Sequence, residues 1–129
     1  MSTSRSMIFA ALLAIAISSC TGDIAVRSTT PSVPTHPGDP LAGAESYEPT
    51  CSTCHATDLA GVGGLGGPLA PNAFVESSTE TEIANLIIAG VPRDHPGNIT
   101  GVDMAPRGGN SFLSDQDIRD VSAYLKSQN

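Results

Sequence analysis

The chain has 129 residues, with six Lys and Arg against 13 Asp and Glu and a net charge of −7. This length allows one small domain, and the acidic balance excludes nucleic acid as a main ligand. The chain has five aromatic residues and no Trp, while 13 Gly and 10 Pro loosen the backbone. A domain with so few bulky side chains usually needs a metal, disulfides or a large cofactor to hold it together.

The first 19 residues have the pattern of an export signal. One basic residue, Arg5, precedes an unbroken apolar run at 7–17, which is too short for a helix that spans a bilayer. The four residues that end at Cys20, Ile-Ser-Ser-Cys, resemble a bacterial lipobox, in which the cysteine is diacylated and becomes the new amino terminus. We therefore expect a lipoprotein signal peptide at 1–19 and lipidation of Cys20. The alternative is an ordinary signal peptide cleaved after Ala16, which leaves a free thiol.

Residues 20–40 are predicted to be a tether. After Cys20 the composition changes to Ser, Thr, Pro and Gly, and prolines recur at every third position: 31, 34, 37 and 40. Polyproline II has three residues per turn, so this spacing favours an extended, semi-rigid segment of up to roughly 60 Å. His36 lies within it and is expected to be a solvated linker histidine. The tether precedes a domain at 41–129.

A first helix is predicted to begin at Pro40. Asp39 followed by Pro40 is the pattern of a helix cap with proline at the first helical position. Apolar residues then recur near helical spacing, at Leu41, Ala44, Tyr47 and Cys51. Pro49 lacks a backbone donor and disfavours the helical conformation of the residue before it. The helix is therefore expected to end or kink just before the cysteines.

The motif Cys-Ser-Thr-Cys-His at 51–55 has the spacing of a c-type haem attachment site. On a helical turn Cys51, Cys54 and His55 share one face, so two thioethers can hold the porphyrin edge while the imidazole reaches the iron. A thioredoxin-type dithiol needs a βαβ setting and a structural zinc site needs further ligands at motif spacing, and the sequence offers neither. With two cysteines bound to haem and Cys20 bound to lipid, we expect no disulfide.

A glycine-rich stretch follows the motif. Residues 61–66, Gly-Val-Gly-Gly-Leu-Gly, match the dinucleotide-binding pattern G-x-G-x-x-G. That function requires a preceding strand, a following helix and an acidic residue about 20 positions later. Because the stretch directly follows the C-x-x-C-H motif, we interpret it as a loop whose glycines permit unusual φ angles and a close backbone approach to the porphyrin.

A second helix and a methionine loop are predicted next. Thr79 with Glu82 forms a capping box, apolar residues follow at helical spacing, and Gly90 marks the end. Once Met1 and Met7 leave with the signal peptide, Met104 is the methionine that remains, and its neighbours are Gly, Asp, Pro and Arg instead of an apolar stripe. We favour Met104 as the sixth iron ligand, paired with His55. The competing ligand is His95.

A third helix is predicted after Ser114. Acidic residues at 115 and 117 suit its positive start, and Ile118, Val121, Tyr124 and Leu125 share one face. The segments between the three helices are predicted to be loop. No run alternates with period two over the length of a strand, so the sequence predicts an all-α fold with long irregular connections.

From 41 to 125 the chain resembles a class I, mitochondrial-type monohaem cytochrome c domain. The resemblance rests on the Gly-and-aromatic first helix, the C-x-x-C-H motif, a loop proline, the methionine loop and a last helix that ends in Tyr-Leu. It implies a small cytochrome c fold, with three main helices and long loops around one covalently attached haem c. It also implies that Gly43 and Tyr47 pack against Tyr124.

The resemblance further implies that the carbonyl of a loop proline accepts a hydrogen bond from the proximal imidazole. Pro68 matches this proline, and Pro71 is the alternative, because the family's leucine lies two residues after the proline whereas Leu69 directly follows Pro68. The family's methionine is commonly followed by proline, but here Ala105 separates Met104 from the next proline. The ligand assignment stands, and the geometry of this loop stays open.

These features predict an electron carrier instead of an enzyme, because iron with both axial positions filled has no room for a small-molecule substrate. The acidic domain favours redox protein partners with basic docking surfaces. Lipidation at Cys20 predicts a membrane-anchored protein of a Gram-negative-type cell envelope that faces the periplasm. Two alternatives stay open: a dedicated cytochrome subunit of a dehydrogenase, oxidase or reductase complex and, if Met104 is displaced, a haem-based gas or redox sensor or a peroxidatic protein.

Overall fold

Helices make up the regular structure of residues 37–129, the part of the chain that the computed structural model describes. In chain order they are α1 (Pro40–Thr50), α2 (Ser52–His55), α3 (Ala73–Ser77), α4 (Glu80–Ala89), a 3₁₀ turn at Pro106–Gly109, and α5 (Asp115–Ser127). In this range the β pairing consists of two isolated bridges, Val62 with Gly66 and Val91 with Met104. The predicted all-α fold is therefore confirmed.

Several predictions concern residues outside this range. The signal peptide at 1–19, lipidation at Cys20, His36 and the tether as far as residue 36 all lie outside the described residues. Between residues 37 and 129, no helix is both long enough and apolar enough to cross a bilayer.

The starts of the three main helices agree with the sequence prediction. The Asp39 carboxylate accepts a hydrogen bond from the first turn of α1 at 2.9 Å, with Pro40 at the first helical position. Two reciprocal capping boxes begin α4 and α5, formed by Thr79 with Glu82 and by Ser114 with Asp117. These caps satisfy backbone donors that have no partner inside a helix.

The helices α1 and α5 pack closely because Gly43 has no side chain. A side-chain carbon at this position would overlap the backbone of Asp120 and lie 2.8 Å from Tyr124 Cβ. One turn later in α1, the Tyr47 ring meets the Tyr124 ring at a centroid distance of 5.5 Å and an interplanar angle of 56°. The expected packing of Gly43 and Tyr47 against Tyr124 is therefore confirmed.

Below this contact the helices enclose a small apolar core. Its buried side chains come mainly from α1, α3, α4 and α5 and include Tyr47, Val75, Ile83, Ile87, Ile118, Val121 and Leu125. One wall of this core is also the wall of the cavity described below, since six of these seven side chains line both.

The prediction that only loop lies between the three main helices is wrong for 73–77, which forms α3. The Asn72 side chain caps this helix by accepting hydrogen bonds from the backbone N–H groups of Phe74 and Val75 at 2.9 and 3.2 Å. Five residues are too few to show a helical period, so only the cap could have signalled the helix. The expected end of the helix just before the cysteines is confirmed, because α1 includes Pro49 and ends at Thr50, the residue before Cys51.

Candidate functional site

One cavity of about 540 Å³ lies between the helical core and the two long loops, within the size range of small-molecule and cofactor sites. Its walls are mostly apolar, formed by side chains from α1, α3, α4 and α5. The cavity is lined by the residues that the sequence predicted to bind haem, together with the competing ligand His95. They are Cys51, Cys54, His55, Pro68, His95 and Met104.

The C-x-x-C-H motif forms a helical turn directly after α1. The N–H groups of Cys54 and His55 both donate to the Cys51 carbonyl, at 3.1 and 2.9 Å. Since α2 comprises Ser52–His55, the three functional side chains come from a single turn of helix. The spacing of the three residues in the sequence predicted this arrangement. A single helical turn is enough to place their side chains on one face.

Both thiols of the motif are free, and Cys51 has an environment unlike that of a redox-active dithiol. Burial raises the pKa of the Cys51 thiol to about 11, and the nearby Cys54 adds to the shift. Reactive cysteines of the thioredoxin type instead have a lowered pKa, because a helix start or a cation stabilises the thiolate. The motif also follows α1 directly, where the βαβ setting of a thioredoxin-type dithiol would place a strand, so the fold argues against the dithiol alternative.

The imidazole of His55 is oriented by a backbone carbonyl. Its Nδ1 lies 2.8 Å from the Gly67 carbonyl oxygen, and because a carbonyl only accepts, Nδ1 is the protonated nitrogen. The lone pair is then on Nε2, the nitrogen that remains for a metal. Ligating histidines are commonly held in this way, with the second ring nitrogen donating to a carbonyl or carboxylate.

The expectation for Pro68 is corrected by this contact, because the acceptor is the carbonyl of the preceding residue, Gly67. The Pro68 carbonyl instead accepts a hydrogen bond from Asn72 Nδ2 at 2.7 Å. Pro68 itself still lines the cavity. The shift by one residue also removes the reason for considering Pro71 as the acceptor.

The glycine-rich loop folds back onto the motif. The N–H of Gly61 donates to the His55 carbonyl at 2.9 Å, and the N–H of Val62 donates to the Cys54 carbonyl at 3.0 Å. Gly66 presses against the motif so closely that a side-chain carbon there would lie 2.5 Å from the Cys54 carbonyl oxygen. Within the described residues this loop is preceded by α2 and not by a strand, which argues against a dinucleotide site.

Met104 lies beside the end of α4. It forms a two-bond bridge with Val91, in which the Val91 N–H donates to the Met104 carbonyl at 2.9 Å and the Met104 N–H donates to the Val91 carbonyl at 2.8 Å. The side chain is half-buried and lines the cavity. The bridge therefore brings a loop methionine to the same cavity as His55, although 49 residues separate the two in sequence.

The loop between Val91 and Met104 is closed at its neck by an ion pair. The Asp103 carboxylate accepts from the Arg93 backbone N–H at 2.6 Å and from the Arg93 guanidinium, also at 2.6 Å. The hydrogen bonds from Arg93 hold the pKa of Asp103 below its usual range. Both side chains are exposed, so this contact closes the loop at the surface.

The turn after Met104 is fastened to the start of α5. Arg107 has a positive φ of 57°, which non-glycine residues seldom adopt. Its guanidinium donates to the Leu113 carbonyl at 2.9 Å and forms an ion pair with Asp115. This contact holds the turn at Pro106–Gly109, which begins two residues after Met104.

The competing ligand His95 also lines the cavity, but its ring is engaged differently. Its Nδ1 accepts a hydrogen bond from the Gly97 N–H at 3.0 Å. In the neutral ring the proton is then on Nε2, which leaves neither nitrogen with a free lone pair for a metal. This geometry favours Met104 over His95 as the distal candidate.

Tyr47 links α1 to the residue after the motif. Its hydroxyl donates to the Ala56 carbonyl at 2.7 Å, while the ring lines the cavity and is buried. Burial, together with the neighbouring Cys51, Tyr124 and Asp58, raises the pKa of the Tyr47 phenol. The hydroxyl thus stays neutral and serves as a donor that fixes the end of α2 against α1.

Sequence reasoning missed the polar residues that support the site. The Gly67 carbonyl carries no side-chain signal, and Asn129, which follows α5, had no pattern to mark it. Asn72 did have one, because Asn is a favoured helix cap, but the helix it begins was too short to be predicted. The side-chain pair of Arg93 and Asp103 spans ten residues of loop and also left no periodic signal.

The comparisons with known proteins agree with the geometry. A family model described as cytochrome c matches residues 41–129. The chain is 35% identical over 91 residues to the protein named "Alcohol dehydrogenase (quinone), cytochrome c subunit" of Gluconobacter oxydans (strain 621H), a match that covers 69% of this chain and 18% of that relative. The chain thus matches less than a fifth of the relative's length. No solved structure matches the chain.

Proposed function

Because the chain belongs to the cytochrome c family, we propose that it carries single electrons on one covalently attached haem c, tethered to a membrane outside the cytoplasm. The observation that carries this proposal is the shared cavity, which is lined by Cys51, Cys54, His55 and Met104. These four side chains have the chemistry that a c-type haem requires: two thiols for thioethers and a nitrogen and a sulfur for the axial positions.

Three independent features of the site fit a haem. The cavity is large and mostly apolar, as suits a flat hydrophobic ring. The proton on His55 Nδ1 leaves Nε2 as the free ligand atom. Met104 reaches the same cavity from the opposite loop. With both axial positions filled, a haem exchanges single electrons and offers substrates no open position.

The role of the protein is then to hold these ligands and to limit access of water. The rigid turn of α2 presents Cys51, Cys54 and His55 together, while the bridge to Val91 holds the backbone of Met104. Buried side chains such as Ile83 and Leu125 line the cavity between them. An apolar surrounding disfavours the extra positive charge of the oxidised iron and so favours a higher reduction potential.

The charge of the domain supports redox partners with basic docking surfaces. Residues 37–129 contain four basic residues against twelve acidic ones. Each of the four basic side chains makes an ion pair or a hydrogen bond within the domain: Arg93 and Arg107 with carboxylates, Lys126 with backbone carbonyls, and Arg119 with the side-chain oxygen of Gln116. Many of the acidic side chains are exposed, including Glu45, Glu48 and Asp58. Electron exchange with a basic partner should therefore slow as added salt screens the attraction.

Export and lipidation rest on the first 20 residues. The basic residue, the apolar run and the lipobox-like end at Cys20 support a lipid anchor at the periplasmic face of a Gram-negative-type envelope. The covalent attachment of haem at Cys51 and Cys54 agrees with that location, since an exported dithiol would otherwise tend to form a disulfide.

A second candidate is a dedicated cytochrome subunit of a dehydrogenase. It is favoured by the similarity to a relative that is itself named as the cytochrome c subunit of a quinone alcohol dehydrogenase. Isolation of the native protein with its lipid anchor separates the two roles. A stoichiometric enzyme partner supports the subunit, whereas a protein that purifies alone and reduces several acceptors supports the free carrier.

An absorption spectrum of the matured protein tests the axial ligands. We expect the oxidised protein to show the weak red charge-transfer band of methionine bound to ferric iron, and we expect Met104→Ala to lose it. His95→Ala is the matched control, because it removes the competing ligand from the same loop, and it should keep the band. If the reduced unmodified protein binds carbon monoxide readily, Met104 is not a firm ligand and a sensor or peroxidatic role is favoured instead.

A further inference from the structure

The segment that carries the Gly67 carbonyl is held by two asparagine side chains that the proposed electron transfer does not explain. Asn72 Nδ2 donates to the Pro68 carbonyl at 2.7 Å, which is one peptide unit beyond the acceptor of His55. Asn129 Oδ1 in turn accepts from the Asn72 backbone N–H at 2.7 Å. A chain of hydrogen bonds therefore runs from Asn129 to the peptide next to the acceptor of the proximal imidazole.

Asn129 also joins this segment to α5. Its Nδ2 donates to two carbonyls at once, that of Leu69 at 3.0 Å and that of Leu125, in the last turns of α5, at 2.9 Å. The neighbouring helix α3 is fastened to α5 as well, because Lys126 Nζ donates to the Val75 and Glu76 carbonyls at 3.1 and 2.8 Å. The end of α5 thus supports both the segment 67–72 and the helix that follows it.

On its other side the same segment is held by the loop after the motif. The N–H groups of Leu69 and Ala70 both donate to the Leu59 carbonyl, at 2.8 and 3.3 Å. Gly67 itself has no side chain to anchor it and is only half-buried. The direction of its carbonyl is therefore set by its neighbours, and the neighbour on the carboxyl side, Pro68, is held by Asn72.

We propose that Asn129 and Asn72 are positioning residues for the proximal histidine: they hold the Gly67 carbonyl against His55 Nδ1 and so tune the imidazole as an iron ligand. The inference rests on the proposed haem site. A hydrogen bond accepted from the second ring nitrogen fixes the orientation of the ring and makes it a stronger electron donor to the metal. A stronger donor favours oxidised iron, so weakening this bond raises the reduction potential.

Asn129→Ala in the full, haem-loaded protein tests the proposal, with Ser127→Ala as the matched control. Ser127 lies at the same end of α5, but its hydroxyl donates to the Tyr124 carbonyl instead of reaching the segment 67–72. Two quantities are measured: the reduction potential, and the solvent exchange of the His55 Nδ1 proton by NMR of the reduced protein. We expect Asn129→Ala to raise the potential and to speed exchange about tenfold, the effect of one ordinary hydrogen bond, and Ser127→Ala to change neither.

Asn72→Ser is the second variant, and it keeps the test decisive if Asn129→Ala folds poorly. Serine retains a favoured cap for α3 but is too short to replace the donation from Nδ2 to the Pro68 carbonyl. We expect the same rise in potential and faster exchange. If both quantities are unchanged in both variants while haem is attached, the positioning role is wrong and the proposed function stands. If the unmodified protein attaches no haem, the proposed function itself fails.

Discussion

The two sides of the cavity are held by different kinds of contact. On the His55 side, residues 51–72 fold back on themselves through backbone hydrogen bonds and are fastened to the end of α5. On the Met104 side, residues 91–109 are held mainly by one two-bond bridge, an exposed ion pair and side chains that close turns, and Arg107 is their side-chain tie to the start of α5. The candidate proximal ligand, His55, is therefore part of the helical structure, whereas the candidate distal ligand, Met104, lies in a loop.

This difference suggests how the two candidate ligands respond to stress. Backbone hydrogen bonds that are shielded from solvent resist local opening, whereas exposed loops open at low free-energy cost. Exposed ion pairs contribute little and are weakened by salt. We expect the methionine side to loosen first under heat, salt or mild denaturant, while the histidine side stays closed until the domain unfolds.

Gly66→Ala should disrupt the packing of the glycine-rich loop against the C-x-x-C-H motif and should lower stability more than the other variants. The new side-chain carbon would lie 2.5 Å from the Cys54 carbonyl oxygen, so the glycine-rich loop and the motif must separate. Overpacking of this kind costs about 1–3 kcal/mol or more, and thermal unfolding together with the yield of haem-bearing protein measures it. Gly63→Ala in the same loop meets no atom within 4 Å and should leave both unchanged. Equal behaviour of the two variants would contradict the close packing on this side.

Asp103→Ala should loosen the methionine side selectively and with a smaller effect. It removes the acceptor of the Arg93 backbone N–H and of the guanidinium, so the neck of the loop before Met104 opens. We expect the methionine charge-transfer band to disappear at a lower temperature, while global unfolding changes less. Asp94→Ala is the control, since Asp94 is an exposed carboxylate of the same loop. A parallel fall of band and global stability would show that the two sides do not differ.

Glu82→Gln tests the capping box at the start of α4, away from both candidate ligands, and should have the smallest effect. Hydrogen bonds from the Thr79 backbone and then its side chain lower the pKa of Glu82. The carboxylate thus stabilises the fold above the ordinary glutamate pKa of about 4.3, and this contribution is lost as pH falls through the lower pKa of the folded state. The unfolding temperature of the variant should be slightly lower at neutral pH and equal in acid. Glu80→Gln, in the same turn, controls for charge; a difference that grows in acid would refute the cap.

The sequence predicted most fully what is local or periodic. The helix starts at Asp39, Thr79 and Ser114 follow from short capping patterns, and the face shared by Cys51 and His55 follows from their spacing on one turn. These features depend on residues three or four positions apart, so a single sequence contains the information.

What the sequence could not predict depends on contacts between distant segments. The acceptor of the His55 hydrogen bond is the Gly67 carbonyl and not the predicted Pro68 carbonyl. The packing of the segment 67–72, and not the residue type, decides which peptide meets Nδ1. The contact between Asn72 and Asn129 spans 57 residues and has no local pattern. The choice between Met104 and His95 as the distal candidate likewise depends on the backbone group that each residue meets in the folded loop.

The mass of the protein is the most direct test of whether a haem is bound covalently at Cys51 and Cys54. Protein made in cells with a c-type maturation system should be coloured and heavier by the mass of one haem, and Cys51→Ser/Cys54→Ser should lose both the colour and the added mass. A colourless product at the mass of the bare polypeptide, in cells that mature other c-type cytochromes, would contradict the attachment of haem at these two cysteines.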